Sequence, residues 1–262
     1  MEAPKFRIYN VWHERIFDEL LEPIPASDRR DLVMYAVNDK LPKSYASSVV
    51  PPENVVREWE LPLFEPRWQE KMYCQTTCMY HVFLNGLHRD LDYVGFCQYD
   101  MRFDAATFAH IRATLREGGG PRVFCSDTQT VQRGLLDFSP QGTAHMVDHY
   151  ARFHGVGPDV ALISAGRLIP ILHTFVIPRD MFERMMRWVS AYMHDLERAG
   201  LDTRRSGGWF YNQASFAERM HALFIGVECE RAGIEMVPLR LAHVWPLYHN
   251  QVPFESHGVR AV

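Results

Sequence analysis

Short apolar runs alternate with longer helical patterns along most of the 262-residue chain. FRIYNVW (6–12) and DLVMYAV (31–37) come first, and DYVGFCQY (92–99) and PRVFC (121–125) follow a proline-rich segment at 51–66. Runs of this length, rich in β-branched and aromatic residues, predict buried strands. Strands that alternate with helices predict an α/β fold with a mixed central sheet flanked by helices.

Helical periodicity, with apolar residues recurring at three and four, covers four longer segments. The sequence predicts helices at residues 67–87, 104–120, 179–200 and 215–233. Gly86 stands where the first of these would need its C-terminal cap. The apolar run RLIPILHTFVI (167–177) follows the second helix, and IEMVPLRLAHVW (234–245) is predicted as the last strand.

Composition narrows the function classes. The chain carries a formal charge of −4, and its 28 basic residues are scattered among 32 acidic ones. This distribution predicts no basic surface of the kind that binds nucleic acid. No apolar stretch is long enough to predict a transmembrane helix. The five cysteines are an odd number in apolar contexts, which favours a reducing, cytoplasmic location. We therefore expect one cytoplasmic domain over residues 1–262, without a membrane or nucleic-acid partner.

The end of the third predicted strand carries the first candidate chemistry. Side chains two apart on a strand share a face, so Gln98 and Asp100 point the same way. At the carboxyl end of a strand in an open α/β sheet, that face looks into the ligand crevice. Oxygen ligands suit Mg²⁺ or Mn²⁺, although a solvated turn residue fits Asp100 as well. Asp104 is predicted to cap the next helix.

Other polar groupings give weaker signals. Cys74, Cys78 and His81 fall on one helical face at i, i+4 and i+7, which permits a zinc site but is more typical of a packed core helix. The glycines of REGGGPR (116–122) lack the lysine of a phosphate-binding loop and predict a helix stop. SGGWFYNQ (206–213) combines glycines with three aromatic residues and is predicted to be a ligand-site loop or lid.

Four ordered blocks of sequence resemble a known enzyme family. These blocks are QTTCMYHVFLN (75–85), DYVGFCQYDMRF (92–103), TFVIPRDMFERMMRW (174–188) and ASFAERMHALF (214–224). They resemble the segments ELTxLYWxWKN, dyxGLxHYRRyF, MFIMKKEIFDEYCEW and ISERLFNVY of bacterial capsular and exopolysaccharide glycosyltransferases. Related enzymes of large DNA viruses share this pattern. The resemblance covers most of residues 70–240.

The resemblance implies a GT-A type fold that binds a nucleotide-sugar donor, with UDP as the expected nucleotide, through a divalent metal. Residues 1–125 would then form the donor part and residues 126–262 the acceptor part. Such folds hold the metal on a DxD segment at a strand end, where this chain has Gln98 and Asp100. Asp100 is therefore the expected ligand of Mn²⁺ or Mg²⁺, and Gln98 would orient a water or the ribose.

The same resemblance implies a second metal ligand near the end of the fold, supplied by a histidine. His243 is the expected residue, with His249 as the next candidate. The ends of the first two strands would meet the base and the ribose of the donor, through His13, Asn38 and Asp39.

Catalysis at the acceptor has several candidate residues. An inverting transferase needs a carboxylate as general base, whereas a retaining one can rely on the leaving phosphate. Glu218 matches a position in the family pattern and is the first candidate, and the adjacent Arg219 would contact phosphate or sugar. Asp148, beside His149, is the rival from the acceptor part.

The sequence therefore predicts a hexosyl- or pentosyltransferase that acts on a glycan or glycoprotein in surface or capsid polysaccharide synthesis. Two alternatives remain. The incomplete DxD segment also fits a catalytically inactive carbohydrate-binding or scaffold protein. A sugar-phosphate nucleotidyltransferase shares the fold, but the N-terminal segment FRIYNVWHERIF (6–17) lacks the glycine-rich basic loop of such enzymes.

Overall fold

A seven-stranded mixed sheet forms the centre of the computed structural model. The model describes residues 4–13, 16–37, 47–157, 164–201, 208–210 and 212–244, together with the backbone of 259–260. Numbered in chain order, the strands of this sheet are β1 (Phe6–Trp12), β2 (Leu32–Ala36), β3 (Val55–Arg57), β4 (Tyr93–Gln98), β6 (Arg122–Cys125), β9 (Phe175–Pro178) and β10 (Glu235–Pro238). Their spatial order is β3–β2–β1–β4–β9–β6–β10. The predicted α/β class with a mixed central sheet is confirmed.

The direction of β9 brings the loop before it to the edge of the sheet where the parallel strands end. Strands β1 to β4 run parallel to one another, so their carboxyl ends meet at the same edge. Strand β9 is antiparallel to both β4 and β6. Its first residue, Phe175, pairs with Phe96 of β4 and with Cys125 of β6. The loop that precedes β9 therefore reaches the sheet at the edge where the parallel strands end.

Helices cover both faces of the sheet. They are α1 (Asp18–Leu21), α2 (Arg67–Glu70), α3 (Gln75–Leu84), α4 (Thr107–Arg116), α5 (Pro140–His154), α6 (Arg179–Arg198) and α7 (Gln213–Ala232). One core contains residues of α3, α5, α6 and α7, and the other contains residues of α1 and α4. Within the described ranges, every helix is too short or too polar to cross a membrane.

A glycine in β4 allows its neighbours to pack closely. A Cβ at Gly95 would lie 2.8 Å from Val176 Cγ2 and 3.0 Å from Ile8 Cγ1, both on the strands that flank β4. These distances are too short for a side chain in a close-packed interior. The apolar run at 93–98 is therefore the middle of the sheet, which explains why all its residues are buried.

Two smaller sheets extend the fold. The first orders β5 (Met101–Phe103), β11 (Leu241–Val244) and β12 (Val259–Arg260) as β12–β11–β5, with antiparallel pairing. The second pairs β7 (Thr128–Thr130) with β8 (Leu168–Pro170). Since β5 begins three residues after β4 ends, the first small sheet meets the central sheet at the edge that carries Asp100.

The prediction of one continuous helix over residues 67–87 is wrong. The chain forms α2 and α3 instead, because Met72 and Cys74 take left-handed φ values of 62° and 50° between them. Cys74 thus precedes α3 and does not share its face with Cys78 and His81. Both of these are buried, and His81 Nδ1 lies 3.3 Å from Glu58 Oε2. These contacts are those of a core helix.

The last predicted strand is also interrupted. It divides into β10 and β11 at Pro238, which has no N–H to continue a ladder. The first piece stays in the central sheet, while the second crosses to the small sheet and pairs with β5. This division carries His243 away from the central sheet and towards the segment that follows β4.

Candidate functional site

The carboxyl edge of the parallel strands gathers the sequence-predicted donor residues that the structure describes. Gln98 ends β4 and Asp100 follows it. His13 follows β1, and its ring lies edge-on against Tyr99, with centroids 4.7 Å apart. The predictions for Asn38, Asp39 and His249 fall outside the described residues.

Asp100 and His243 are in direct contact. His243 Nε2 lies 2.9 Å from Asp100 Oδ2, although the two residues are 143 positions apart. The pairing of β5 with β11 explains this contact, since His243 is opposite Met101 and the Val244 N–H donates to the Asp100 carbonyl at 2.9 Å. The two residues named from the sequence as metal ligands therefore share one place.

The donor set and spacing of this pair suit a divalent cation. Asp100 is fully buried, and its Oδ1 has no hydrogen-bond partner among the described residues. Two ligands at right angles on an ion with bonds of about 2.1 Å lie about 3.0 Å apart, close to the separation of Nε2 and Oδ2. Across the described ranges, no group of three or more His, Cys, Asp or Glu side chains forms a metal site. Two protein ligands would leave the other positions to diphosphate oxygens and water.

The amino end of α3 faces the same edge. Gln98 Nε2 donates to Gln75 Oε1 at 3.4 Å, while Gln98 Oε1 is buried without a partner among the described residues. Thr76 Oγ1 lies 3.4 Å from His173 Nε2, in the loop before β9. A helix amino terminus carries a partial positive charge, so α3 adds a favourable field for an anionic ligand beside Gln98.

The loop before β9 orients Glu218. Leu172 and His173 have φ values of 66° and 47°, which are uncommon for residues other than glycine. This turn directs the Leu172 N–H to Glu218 Oε1, which accepts it at 3.1 Å. The same oxygen accepts from Arg219 Nη1. Backbone strain at such turns clusters at functional sites, so the turn marks Glu218 as a candidate for function.

Arg219 links Glu218 to an exposed aromatic ring. Its guanidinium carbon lies 4.8 Å from the ring centroid of Phe138. Arg219 itself is buried, and its Nε has no hydrogen-bond partner among the described residues. A guanidinium in this position interacts favourably with the ring face. Glu218, Arg219 and Phe138 therefore form a continuous set of contacts that ends at the protein surface.

The buried ring of His173, in the Leu172–His173 turn, packs against a second buried histidine, His221. The rings of His173 and His221 have centroids 5.0 Å apart. Burial lowers the pKa of His173 to about 3 and holds the pKa of His221 well below its ordinary value. Both ring nitrogens of His221 lack hydrogen-bond partners among the described residues. The pair is therefore neutral, and it adds no positive charge beside Arg219.

Asp148 occupies a different environment. It lies on α5, where its carboxylate pairs with Arg152 Nη2 at 2.9 Å, and its side chain is 61% exposed. Its neighbour His149 is buried and contacts Asp195 and Trp188. These contacts do not join Asp148 to Glu218 or to Arg219. Its catalytic assignment remains a prediction.

The sequence did not identify Leu172, His173, His221 and Phe138 as site residues. The left-handed turn had no glycine to signal it, and one buried histidine looks like another in a helical pattern. Phe138 stood between two predicted elements and had no periodic context. One signal of the turn was available in the sequence. The apolar run at 167–177 is long for a single strand, and the polar residues His173 and Thr174 interrupt it directly after Leu172.

The buried histidine pair gives a pH prediction. The unfolded chain takes up a proton at His221 below about pH 6.5, whereas the folded protein keeps this ring neutral. Stability is therefore lost as the pH falls, by about 1.4 kcal/mol per pH unit for this group. We expect His221→Phe to reduce that dependence by about this amount between pH 6 and 5, measured by urea unfolding. Equal slopes in the two proteins would contradict the neutral assignment.

Comparisons with known proteins agree with this architecture. No family model and no curated protein sequence matches the chain. Among solved structures, an apo structure of the bifunctional glycosyltransferase WbbM matches with a TM-score of 0.61 and 12% identity. The match covers 92% of this chain and 46% of that one, so the chain spans about half the length of this neighbour. At this identity the likeness concerns the fold alone. The mixed α/β architecture of this chain is similar to that of this glycosyltransferase structure.

Proposed function

We propose that this protein is a glycosyltransferase that moves a sugar from a nucleotide-diphosphate donor, with UDP as the expected nucleotide, to a glycan hydroxyl. Surface or capsid polysaccharide synthesis is the expected setting. The observation that carries the proposal is the Asp100–His243 pair at the ligand edge of the sheet, in which the buried Asp100 Oδ1 has no hydrogen-bond partner among the described residues. The fold shared with a glycosyltransferase supports it.

On the donor side, Asp100 and His243 would hold Mn²⁺ or Mg²⁺. Such an ion, when bound, supplies a Lewis acid for the leaving diphosphate. The amino end of α3 adds positive potential beside Gln98. The amide oxygen of Gln98 has no partner in the described part of the chain and can accept from a ribose hydroxyl or a water. His13 lies against Tyr99 at the end of β1, where an aromatic pair can contact the base. Asn38 and Asp39 keep the ribose role proposed from the sequence.

On the acceptor side, Glu218 would act as the general base. Its Oε1 is held by the Leu172 N–H and by Arg219, which fixes the plane of the carboxylate. The described contacts leave Oε2 to accept a proton from the acceptor hydroxyl. A carboxylate in this role fits an inverting reaction. In a retaining reaction, Glu218 and Arg219 would stabilise the charge of the transition state.

The replacement of the first DxD carboxylate by Gln98 favours one second candidate, a carbohydrate-binding or scaffold protein without turnover. A donor assay separates the two functions. Incubation with a panel of nucleotide sugars and Mn²⁺ would release nucleotide if the protein is a transferase. Glycan binding with no nucleotide release from any donor would favour the scaffold.

The role of Asp100 gives a second prediction. Asp100→Asn removes the charge that would hold the cation, so we expect kcat/KM for donor hydrolysis to fall at least about 100-fold, or ~2.7 kcal/mol. Asp104→Asn is the matched control, because Asp104 Oδ1 accepts from the Ala106 N–H at 2.7 Å and asparagine can do the same. Nucleotide release would be measured for both. Full activity of Asp100→Asn after chelator treatment would rule out the metal assignment.

The choice between Glu218 and Asp148 gives a third prediction. Glu218→Gln keeps an acceptor for the Leu172 N–H but cannot take a proton. We therefore expect sugar transfer to fall by about 10²–10⁴-fold, with donor affinity unchanged. Asp148→Asn removes only an exposed ion pair and should leave the rate within about two-fold. Donor affinity would come from calorimetry and the rate from product formation. The opposite pattern would assign the base to Asp148.

A further inference from the structure

The turn that directs an N–H to Glu218 is a bulge in a long antiparallel ladder. β6 leads into β7 and β8 leads into β9, and the two continuous segments pair with each other at both ends. Cys125 is opposite Phe175, and Thr128 is opposite Pro170. Between these two pairs, the first segment has two residues and the second has four. The extra residues of the second segment therefore leave the ladder, as in a β-bulge.

The ladder holds the chain on both sides of this bulge. The Ile171 N–H donates to the Asp127 carbonyl at 3.1 Å, and the Ser126 N–H donates to the Thr174 carbonyl at 3.3 Å. The two residues with left-handed φ values lie between these bonds. Bulges redirect backbone and side-chain groups and are common next to active sites. This bulge redirects one backbone N–H out of the ladder and towards a carboxylate.

A buried threonine hydroxyl restrains the backbone of the bulge. Thr174 is fully buried, and its Oγ1 donates to the Leu172 carbonyl at 2.9 Å. Peptide units are planar, so the Leu172 N–H belongs to one unit and the Leu172 carbonyl to the next. The unit that carries this N–H thus lies between two restrained units, since the Ile171 N–H is bonded on its other side. Restraint of both neighbours limits its rotation and keeps the N–H directed at Glu218 Oε1.

The side chain of the second bulged residue is held as well. His173 Nε2 lies 3.4 Å from Thr76 Oγ1 of α3, and its ring packs against His221 of α7. All three side chains are buried. These contacts fix the imidazole between two helices, whereas the Thr174 hydroxyl bonds directly to the backbone of the bulge. Removal of that hydroxyl is therefore the change that acts most specifically on the Leu172 peptide.

We propose that Thr174 is a positioning residue for the transfer reaction. Its hydroxyl holds the Leu172 peptide, and the Leu172 N–H in turn fixes the carboxylate of Glu218 for proton transfer. The proposal rests on the glycosyltransferase function with Glu218 as the base, and it deepens that function by naming a residue that acts through the backbone. A small misplacement of a catalytic group can cost up to about 100-fold in rate, so such a residue affects catalysis.

Amide hydrogen exchange, followed by NMR, tests the anchor without any substrate. Thr174→Val removes the hydroxyl at nearly constant volume, so we expect the protection of the Leu172 amide to fall about ten-fold. Thr174→Ala should give the same loss, while Thr174→Ser keeps a hydroxyl and should stay within about two-fold of the wild type. Thr143→Val is the matched control, because Thr143 is buried and its Oγ1 has no hydrogen-bond partner among the described residues.

Steady-state kinetics of sugar transfer tests the consequence for catalysis. We expect kcat of Thr174→Val to fall about ten-fold, because the carboxylate of Glu218 is no longer held in one orientation. KM for the nucleotide sugar should stay within about two-fold, since the proposed donor ligands Asp100 and His243 are unchanged. Thr174→Ser and Thr143→Val should both keep the kcat of the wild type.

Thermal melts would establish that each variant folds. The positioning role would be overturned by a folded Thr174→Val with wild-type protection of the Leu172 amide or with wild-type kcat. An equal loss in Thr174→Ser or in Thr143→Val would overturn it as well. Nucleotide release by the wild-type protein tests the proposed function separately. Lower protection in Thr174→Val, without nucleotide release by the wild type, would keep the anchor of the bulge and refute the transferase.

Discussion

The contact between Asp100 and His243 joins the central sheet to the small sheet, and the rest of the candidate site is arranged around it. A fully buried carboxylate is expensive unless its oxygens are paired. Here Oδ2 has the imidazole, whereas Oδ1 has no partner among the described residues. A cation that also contacts Oδ1 would relieve that cost, so this oxygen connects the fold to the proposed donor chemistry.

The proposed acceptor side combines backbone strain with the buried charge of Arg219. Two consecutive left-handed residues, Leu172 and His173, cost on the order of 1–3 kcal/mol each. The turn presents one N–H to Glu218 and lets His173 reach Thr76 at the start of α3. Because β9 begins where the parallel strands end, this turn connects the donor edge with the Glu218–Arg219 pair.

Sequence patterns predicted the elements with strong local signals. Strands β1, β2 and β4 appear close to their predicted positions, because each is a buried apolar run. The prediction that Asp104 caps the next helix is wrong: Ala106 is the N-cap of α4, and the Asp104 carboxylate accepts the Ala106 N–H in the turn before the helix. The breaks at Met72 and at Pro238 were missed. Left-handed residues other than glycine leave no pattern in sequence, and Pro238 could have signalled the second break.

The site residues also divide into those with a local sequence signal and those that depend on tertiary contacts. Asp100 and His243 were named separately, one from a strand end and one from a resemblance, and tertiary pairing of β5 with β11 brings them together. Glu218 was named without its contacts, which depend on a turn that the sequence did not predict. Phe138 has no local signal, because its contact with the buried guanidinium of Arg219 is a tertiary one.

The central claim is that Asp100 and His243 hold the cation that binds the donor diphosphate. Anomalous diffraction from crystals soaked with Mn²⁺ and UDP tests this claim most directly. We predict one manganese peak bonded to Asp100 and His243 at about 2.1–2.3 Å, with diphosphate oxygens completing its shell. A bound nucleotide with manganese elsewhere, or with Asp100 still bonded only to His243, would contradict the claim.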